Sequence, residues 1–533
     1  MKLFLIRHGQ SKGNIKPGFM SGRTDPEGLT HKGKIQVIRT AYELRNEKID
    51  KIFVSPVARA QESSQILHRY FPKASIKTEE WLSELHHGVF EGFYWWEKIH
   101  KISPEHRKLH GEYTTPYPGG GESMQMMFER VSSGLRQYMQ DCKPDAKVML
   151  VSHQAPITAM RYMLKIGGPE TLTTSTKQKA FMQYLHDVKL PNGGFAQASY
   201  IGKVLKNLDE VTKFDPVQEK KGNVEFYAKG VLDEDQVEAI KQETVSKHGV
   251  YHLKNSGDHL LKILHTENTK SVKRHVAIYS YLQEKGISAP LIIFHDDSHQ
   301  FYKNDILVQD YAEGVVQDQC ILEHPKQSTK VLAKIYDQLH AMFEIPRSEV
   351  KDFWMSLGQP DFQDWKPFML YNINMTLHMI QGDVFQQKAI KQIEDTLKHL
   401  KTYIREGNYS LVPIHGDVAP GNIIISHGKT LCSLVRIIDF EWTRMGDKLW
   451  DLAYYWGWLE RSNSEVASSW YDLLTEKLSS EQLSKLEWYR ILFHAWTVRD
   501  MFEYEKDKIR QERGESSKEI LNSATQLLSH SAW

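Results

Sequence analysis

The sequence has few cysteines and no long apolar run. Its three cysteines, Cys142, Cys320 and Cys432, lie far apart in 533 residues, which excludes a disulfide scaffold and indicates reduced thiols. No stretch approaches the roughly 18 apolar residues of a membrane span. The four apolar residues before Arg7 are too few for a signal peptide. We therefore expect a soluble, cytoplasmic protein with no membrane partner.

The sequence also lacks a charge excess and several common catalytic motifs. Lys and Arg number 68 and Asp and Glu number 67, and this balance argues against a nucleic-acid binder. No Gly-x-x-x-x-Gly-Lys-Ser/Thr loop occurs, which excludes a P-loop kinase. No His-Glu-x-x-His or Cys-x-x-Cys pattern supports a zinc site. What remains is a globular protein long enough for three to four units of about 150 residues each.

The first part of the chain, residues 1–206, alternates apolar runs with amphipathic stretches. Residues 3–6, 52–54 and 148–151 are predicted strands, and residues 30–44 are a predicted helix with Thr30 as its N-cap. Strands separated by helices predict an α/β domain with a mostly parallel sheet flanked by helices.

The second part of the chain, residues 225–533, has a different pattern. Residues 207–224 are rich in charge and carry proline and glycine, so we interpret them as a linker, with a surface loop inside one domain as the alternative. Beyond them a short β-rich stretch precedes long amphipathic helices. This order predicts an α+β domain of two lobes, a small lobe of about residues 225–312 and a large lobe of about 313–533.

Polar residues suited to phosphate follow the three predicted strands of the first part. Arg7 and His8 follow the first strand, Arg59 lies soon after the second and His153 follows the third. Because ligands bind at the carboxyl ends of parallel strands, we expect these residues to converge. Guanidinium groups bind phosphate oxygens, and a neutral imidazole can act as a nucleophile. Glu84 is the candidate general acid for the leaving oxygen. Taken singly, the two arginines are better explained as surface ion pairs and the two histidines as core residues, but that explanation does not account for all four following strands.

Five segments of residues 1–205 resemble the histidine phosphatase superfamily, which includes the phosphoglycerate mutases. They are Arg-His-Gly at 7–9, Ser-Pro-x-x-Arg-Ala at 55–60, the segment around Glu84, Pro-Gly-Gly-Gly-Glu-Ser at 118–123 and Ser-His at 152–153. The resemblance implies a mutase-like α/β fold and a phosphomonoester substrate, with no metal or other cofactor.

The resemblance also implies roles for particular residues. His8 would be phosphorylated, Arg7, Arg59 and His153 would hold the phosphoryl group, and Glu84 would be the acid. Asn14 matches a further phosphate contact of the family. The residue after the second histidine is Gln154, where the family usually has glycine, and this departure can change the shape of the pocket.

A second set of polar residues surrounds a predicted β-hairpin. Strands at residues 423–425 and 434–438, with Gly428 at the turn, would place Asn422 and Asp439 side by side. An amide oxygen and a carboxylate there make a site suited to Mg²⁺ that bridges phosphates. Asp417 precedes Asn422 by five residues, as the base precedes the metal-binding Asn in the catalytic loop of protein kinases.

This pattern resembles the aminoglycoside phosphotransferase and choline kinase group over residues 225–533. The resemblance implies a protein-kinase-like fold that uses Mg²⁺ and ATP, or another nucleoside triphosphate. Asp417 would orient or deprotonate the acceptor hydroxyl, Asn422 and Asp439 would bind Mg²⁺, and Lys262 would contact the nucleotide. Gln309 and Tyr311 lie where the hinge between the lobes is expected, so they are further candidates for nucleotide binding.

One departure bears on kinase activity. His275 stands where the family usually has a Glu that pairs with the lysine. Either the register is shifted or another acid such as Glu267 takes that part. The sequence therefore predicts a bifunctional enzyme that hydrolyses a small phosphomonoester and phosphorylates a small-molecule hydroxyl. The alternatives are a phosphatase with a nucleotide-binding pseudokinase domain, or a first domain with mutase activity.

A group of aromatic residues near the C-terminal end of this pattern has two interpretations. They could bind an amine substrate through cation–π contacts, or they could form the core of the large lobe. The residues are Trp442, Tyr454, Tyr455, Trp456 and Trp458.

Overall fold

The computed structural model describes most of the chain as two compact units. The described residues are 1–24, 28–98, 100, 112–141, 143, 145–167, 172–201, 204–211, 213–234, 236–242, 248–255, 257–265, 272–346, 348, 364–380, 387–426 and 434–505. The first unit comprises Met1–Val245, Gly249–Asp258 and Asp296–Ile306, and the second comprises Ser246–His248, His259–His295 and Leu307–Trp533. Within the described part, no helix is long and apolar enough to span a bilayer.

The first unit contains ten strands and seven α-helices among its described residues. The strands are β1 (Lys2–Arg7), β2 (Phe19–Met20), β3 (Lys51–Val54), β4 (Ser75–Thr78), β5 (Phe93–Tyr94), β6 (Lys147–Ser152), β7 (Phe195–Ile201), β8 (Val204–Val211), β9 (Glu238–Lys241) and β10 (Gly249–Lys254). The helices are α1 (His31–Glu43), α2 (Ala58–Tyr70), α3 (Trp95–Lys98), α4 (Met124–Asp141), α5 (Gln154–Lys165), α6 (Ser175–Asp187) and α7 (Lys221–Leu232).

A six-stranded sheet in the order β4-β3-β6-β1-β7-β8 organises the first unit. The first four strands in that order run parallel, while β7 and β8 pair antiparallel. The strands β1 and β6 at its centre are almost wholly buried, as expected for a sheet covered on both faces. The predicted α/β fold with a mostly parallel sheet is confirmed.

The helix α1 begins and ends within a residue of the prediction. The Thr30 hydroxyl accepts a hydrogen bond from the Gly33 amide at 3.0 Å, so Thr30 is the N-cap that the sequence indicated. Ile35 and Ile38 recur at helical spacing and are fully or almost fully buried against the unit.

The predicted linker at residues 207–224 is wrong at both ends. Strand β8 continues to Val211 and pairs with β7, and α7 starts at Lys221. Asp209 and Glu210 lie on the edge strand of the sheet, a position where charge is common, whereas residues 213–220 belong to no helix or strand and keep the irregular backbone that the prediction expected.

The helix α7 also groups with the first unit, which therefore extends beyond the predicted boundary at residue 206. Phe226 of α7 stacks on Tyr70 with ring centroids 4.2 Å apart and meets Tyr42 at 5.3 Å. Phe301, which is fully buried, meets Tyr42 at 5.3 Å. Aromatic packing of this kind explains why the compact units divide differently from the sequence boundaries.

The second unit is rich in helices. The remaining strands are β11 (His259–Leu264), β12 (Ile292–Asp296), β13 (Asp305–Asp310), β14 (Val315–Val316), β15 (Leu411–Ile414), β16 (Ile423–Ser426), β17 (Leu434–Ile437) and β18 (Arg444–Asp447). The helices are α8 (Val272–Glu284), α9 (Gln317–Glu323), α10 (Ser328–Phe343), α11 (Trp365–Ile380), α12 (Gln387–Glu406), α13 (Lys448–Ser462), α14 (Ser464–Lys477) and α15 (Ser480–Glu505).

Short strand pairs position the polar loops of the second unit. Strand β13 lies between β12 and β11, β14 pairs with β16, and β15 pairs with β18. The predicted hairpin of β16 and β17 is present, and its turn at Gly428 lies outside the described residues. The helices pack around one large core that includes Trp450, Tyr455 and Trp470. This helical and sheet-containing domain agrees with the predicted kinase-like class.

The aromatic residues at 442 and 454–458 do not share one environment. Tyr455 and Trp456 are buried in the core, and Trp442 is 46% exposed. The face of Trp458 already carries a cation of this chain, because the Arg461 guanidinium lies 5.2 Å from its ring centroid. The group is therefore not a uniform box for an amine, and most of it is structural.

Candidate active sites

The carboxyl ends of β1 and β6 meet at the first candidate site. Arg7 is the residue opposite Ser152 in the parallel register, and the His8 amide donates to the Ser152 carbonyl at 3.1 Å. Gly9 lies so close to α1 that a Cβ there would be 2.2 Å from the Gly33 carbonyl oxygen. The chain can therefore leave the strand against the helix only because residue 9 is glycine.

The His8 imidazole is held from both ring nitrogens. Its Nδ1 lies 2.6 Å from the Gly9 carbonyl oxygen, which can only accept, so Nδ1 carries the proton and donates. Its Nε2 accepts a hydrogen bond from the Nε of Arg59 at 3.0 Å. Arg59 is fixed in turn by its Nη2, which donates to the Gly22 carbonyl at 2.7 Å. The Nε2 lone pair therefore points at the Arg59 guanidinium.

Burial and positive neighbours keep both site histidines neutral. Burial lowers the pKa of His8 well below its ordinary value, and Arg59 and Arg7 lower it further. The pKa of His153 is lowered for the same reasons, first by burial and then by Arg59 and His8. The two rings lie with centroids 5.0 Å apart, and the His153 Nε2 is 2.7 Å from the Ser55 hydroxyl. In the described part of the chain the buried Nδ1 of His153 has no hydrogen-bond partner.

Arg7 is anchored through a single terminal nitrogen. Its Nη1 donates to the Leu190 carbonyl at 2.7 Å and to the Gln154 side-chain oxygen at 3.1 Å. Its Nε is buried and makes no hydrogen bond to any described residue. The planar guanidinium therefore has one edge held by the protein and another edge available for an anion.

Asn14 is connected to the His8 segment through Asn192. Its side-chain oxygen accepts from the Ser11 amide at 3.0 Å and from the Asn192 side chain at 3.0 Å. Asn192 also donates to the His8 carbonyl at 3.3 Å. The side-chain oxygen of Asn14 therefore has two donors, and Asn192 links Asn14 to the backbone of His8.

Glu84 lies in the same electrostatic environment as the two arginines. Burial raises the pKa of Glu84, although Arg59, the Leu85 amide and Arg7 act against the rise. Its Oε1 accepts from the Leu85 amide at 2.9 Å. A carboxyl group with a raised pKa remains protonated at higher pH than usual, as a proton donor requires.

A charged network that sequence reasoning missed holds the backbone around Glu84. Arg130 donates to both carboxylate oxygens of Glu122, at 2.8 and 2.9 Å, and to the Ser83 carbonyl at 3.1 Å. Arg23 donates to the Glu84 carbonyl at 2.9 Å and pairs with Glu122 at 2.8 Å. The Pro-Gly-Gly-Gly-Glu-Ser segment contains Glu122, which was the available signal for this network.

The second candidate site is in the second unit and contains Asp417 and Asn422. The Asn422 side-chain nitrogen donates to the Asp417 backbone carbonyl at 2.9 Å and to its Oδ2 at 3.2 Å. The Tyr454 hydroxyl donates to Oδ1 of Asp417 at 2.7 Å. Both carboxylate oxygens of Asp417 are therefore fixed in direction by neighbouring donors.

Asn422 and Asp439 lie beside each other, as the hairpin register predicted. The Ile438 amide donates to the Asn422 carbonyl at 2.9 Å, which brings the next residue, Asp439, to the same end of the hairpin. Asp439 has φ 67°, a left-handed conformation that is costly for a residue other than glycine and is common at functional sites.

The donors at this end of the hairpin fit a magnesium ion. Because the Asn422 nitrogen is held by Asp417, its side-chain oxygen faces away and can act as a ligand together with the Asp439 carboxylate. The described residues hold no group of three His, Cys, Asp or Glu side chains that could bind a metal on their own. Mg²⁺ is commonly bound by one or two protein oxygens plus phosphates and water, so two donors suffice.

Lys262 makes its ion pair with Asp439 rather than with a residue of α8. The two side chains are 3.1 Å apart. Burial would lower the pKa of Lys262, but Asp439, with help from Tyr279 and Glu441, raises it above its ordinary value. His275 occupies a buried position on α8, as the sequence indicated, and Glu267 lies outside the described residues.

Arg274 connects α8 to the segment after Asp439. It donates to the Glu441 carbonyl at 3.2 Å and to the Thr443 carbonyl at 2.6 Å. The Glu441 carboxylate lies 2.8 Å from His248.

The two candidates for nucleotide binding, Gln309 and Tyr311, lie at the end of β13. Gln309 is a buried residue of the strand, and Tyr311 is the first residue after it. The Gln309 side-chain oxygen has no hydrogen-bond partner among the described residues.

Asp451, which sequence reasoning matched only as part of a motif, holds the loop that carries Asp417. Its two oxygens accept from the His415 amide at 2.7 Å and from the Gly416 amide at 2.9 Å. Burial raises the pKa of Asp451 to about 7, against the effect of these two hydrogen bonds. Gly416 has φ 82°, and a Cβ there would be 2.4 Å from the Trp442 carbonyl oxygen. The site loop is therefore fixed by a buried acid on α13.

Comparisons with known proteins identify a family for each of the two parts of the chain that contain these sites. Residues 3–173 match the histidine phosphatase superfamily (branch 1), and residues 245–482 match the phosphotransferase enzyme family. The chain belongs to the histidine phosphatase superfamily and carries a phosphotransferase-family domain after the phosphatase domain.

Individual relatives match the first domain. Phosphoglycerate mutase-like protein 4 of Arabidopsis thaliana is 30% identical over 162 residues, which cover 30% of this chain and 69% of the relative. Phosphoserine phosphatase 1 of Hydrogenobacter thermophilus is 31% identical over 160 residues, covering 30% and 74%. A solved mycobacterial glucosyl-3-phosphoglycerate phosphatase is 22% identical with a TM-score of 0.32, covering 40% of this chain and 98% of that one.

Replacement of Asp451 by Ala is expected to destabilise the second unit by about 2–4 kcal/mol. The change leaves two buried amides, those of His415 and Gly416, without their acceptor. Urea unfolding followed by tryptophan fluorescence measures the effect, with Asp472→Ala at an exposed position as the matched control. Equal midpoints for the two variants would contradict the structural role of Asp451.

Proposed function

We propose that the chain is a bifunctional enzyme whose first domain hydrolyses a phosphomonoester through a phosphohistidine at His8. The contact that supports the proposal most is the hydrogen bond from Arg59 to the Nε2 of His8, because it holds a guanidinium beside the nitrogen that we propose as the nucleophile. Arg7, Arg59, His153 and Asn14 bind the phosphoryl oxygens, and no metal takes part.

The reaction runs in two steps. When the phosphomonoester binds, the Nε–H of Arg59 turns from His8 to a phosphoryl oxygen, and the freed Nε2 lone pair of His8 attacks phosphorus while Glu84 gives its proton to the leaving alcohol oxygen. The Gly9 carbonyl holds the Nδ1 proton and favours the positive charge that develops on the ring. A water molecule then attacks the phosphohistidine, Glu84 accepts a proton from that water, and phosphate leaves.

The second domain, in this proposal, transfers the γ-phosphoryl group of ATP to the hydroxyl of a small molecule. Asp417 accepts or orients the hydroxyl proton, and Lys262 contacts the nucleotide phosphates, with Gln309 and Tyr311 at the nucleotide. Asn422 and Asp439 would hold Mg²⁺, which supplies neutralisation of phosphate charge when bound.

A pseudokinase is the second candidate for this domain, and one observation favours it. The helix α8 offers Arg274 and His275 where an acidic partner of Lys262 is expected, and Lys262 pairs with Asp439 instead. The domain would then bind nucleotide and regulate the phosphatase. A mutase activity of the first domain uses the same residues, so analysis of products separates it from hydrolysis.

The pH profile of phosphatase activity should have a plateau, with its acidic limit set by the pKa of His8 and its alkaline limit by the pKa of Glu84. Activity falls with decreasing pH only below the lowered pKa of His8, because the imidazole must be neutral. It falls with increasing pH through the raised pKa of Glu84, because the acid must be protonated. Glu84→Gln should reduce kcat for an alkyl phosphate by about 10²–10⁴-fold and remove the alkaline limb.

Two comparisons make this pH experiment specific. p-Nitrophenyl phosphate has a good leaving group and needs little proton donation, so Glu84→Gln should harm its hydrolysis much less. Glu80→Gln, at an exposed position nearby, is the matched control and should retain the wild-type profile. An alkaline limb that persists in Glu84→Gln would rule out Glu84 as the acid.

Kinase activity should depend on Asp417 while phosphatase activity does not. In the full-length chain, Asp417→Asn is expected to lower the rate of ATP-dependent phosphorylation at least about 100-fold. The acceptors tested are hydroxyl-bearing metabolites such as amino sugars and choline. ADP release and ATP binding are measured together, with Asp472→Asn as the exposed control. Nucleotide binding without any turnover in the wild-type chain would support the pseudokinase and overturn the kinase proposal.

A further inference from the structure

Gln154 has a side chain whose orientation is determined by its neighbours. It is the first residue of α5, directly after His153, and its amide nitrogen donates to the Thr158 hydroxyl at 2.9 Å and to the Val188 carbonyl at 3.4 Å. The Thr158 hydroxyl gives its own proton to the Gln154 backbone carbonyl at 2.8 Å, so its oxygen is free to accept. Because both acceptors lie on the nitrogen side, the side-chain oxygen must face the other way, towards Arg7.

This oxygen completes the anchoring of Arg7. The Nη1 of Arg7 has two hydrogens, and the Leu190 carbonyl and Gln154 side chain accept one each. With Nη1 fixed, the Nε and Nη2 hydrogens point together from the opposite edge of the planar group. Nε is buried and lacks a partner among the described residues, so this edge is the one left for two phosphate oxygens.

We propose that Gln154 is a positioning residue of the phosphatase, which fixes the rotation of Arg7 so that its Nε–Nη2 edge faces the phosphoryl group. The proposal rests on the phosphate-binding role of Arg7 in the function proposed above. Gln154 therefore sets the affinity of the site for phosphate while staying out of contact with the reacting atoms.

In this turn of α5, the side chain of Gln154 contacts Arg7, whereas the proposed acid Glu84 is contacted by backbone. The neighbouring Ala155 amide donates to the Glu84 carboxyl group through the backbone, which a change of the residue 154 side chain leaves in place. Loss of the Gln154 oxygen should consequently alter binding of the phosphoryl group much more than the chemical step.

The test uses the full chain with Gln154→Met, which keeps the length of the side chain and removes its polar atoms. The dissociation constant of inorganic phosphate, measured by calorimetry, should rise about tenfold, as expected for one hydrogen bond to a charged group. KM for p-nitrophenyl phosphate should rise with it while kcat changes less than about twofold. Thr158→Val should give a smaller rise, and Thr158→Ser, which keeps the hydroxyl, should restore wild-type binding. Gln178→Met on α6 is the matched control and should bind as the wild type does.

A double-mutant cycle with Arg7→Ala identifies the path of the effect. If Gln154 acts through Arg7, Gln154→Met should not weaken phosphate binding further once Arg7 is alanine. An undiminished effect in that background, or unchanged binding in Gln154→Met alone, overturns the inference. Unchanged phosphate binding in Arg7→Ala alone overturns instead the role of Arg7 in the proposed function, so the two failures are distinguishable.

Discussion

The hydrogen bond between a neutral imidazole and a buried guanidinium is the interaction on which the first site depends. His8 lies between the Gly9 carbonyl and Arg59, and Arg59 is fixed by the Gly22 carbonyl. Burial of these groups next to each other keeps the ring uncharged, since an imidazolium would face a guanidinium in a medium of low dielectric constant. The parallel strands β1, β3 and β6 make the arrangement possible, because their carboxyl ends lie at the same edge of the sheet.

The candidate site of the second unit is built on carboxylates, where that of the first unit is built on guanidinium groups. In the second unit a carboxylate, Asp417, is held by an amide and a phenol, and a second buried carboxylate, Asp451, holds the loop beneath it. Asp417 and Asp451 thus both have donors that limit the direction of their carboxylate oxygens, as a pre-organised site requires. Both units thus place rigid polar groups at strand ends and adjoining loops, one with cations and one with carboxylates.

Sequence patterns predicted the parts of these sites that depend on local order in the chain. The apolar strands and the residues after them gave Arg7, His8 and His153, and the hairpin register placed Asn422 beside Asp439. Contacts between distant segments were not predictable in this way. Gln154 accepting from Arg7, and Tyr454 donating to Asp417, depend on how helices pack against loops, which spacing does not encode.

The limits of the domains were hard to predict for a similar reason. The charge of residues 207–224 indicated a linker, yet tertiary pairing made part of this stretch an edge strand and part a helix.

Trapping of the phosphoenzyme tests most directly the central claim that His8 becomes phosphorylated. The full chain is mixed with a ³²P-labelled phosphomonoester, quenched within milliseconds in base and digested for mass spectrometry. The account predicts an acid-labile phosphoryl group on the peptide that contains His8, and its absence from His8→Ala. A label on another residue, or steady turnover in His8→Ala, would contradict it.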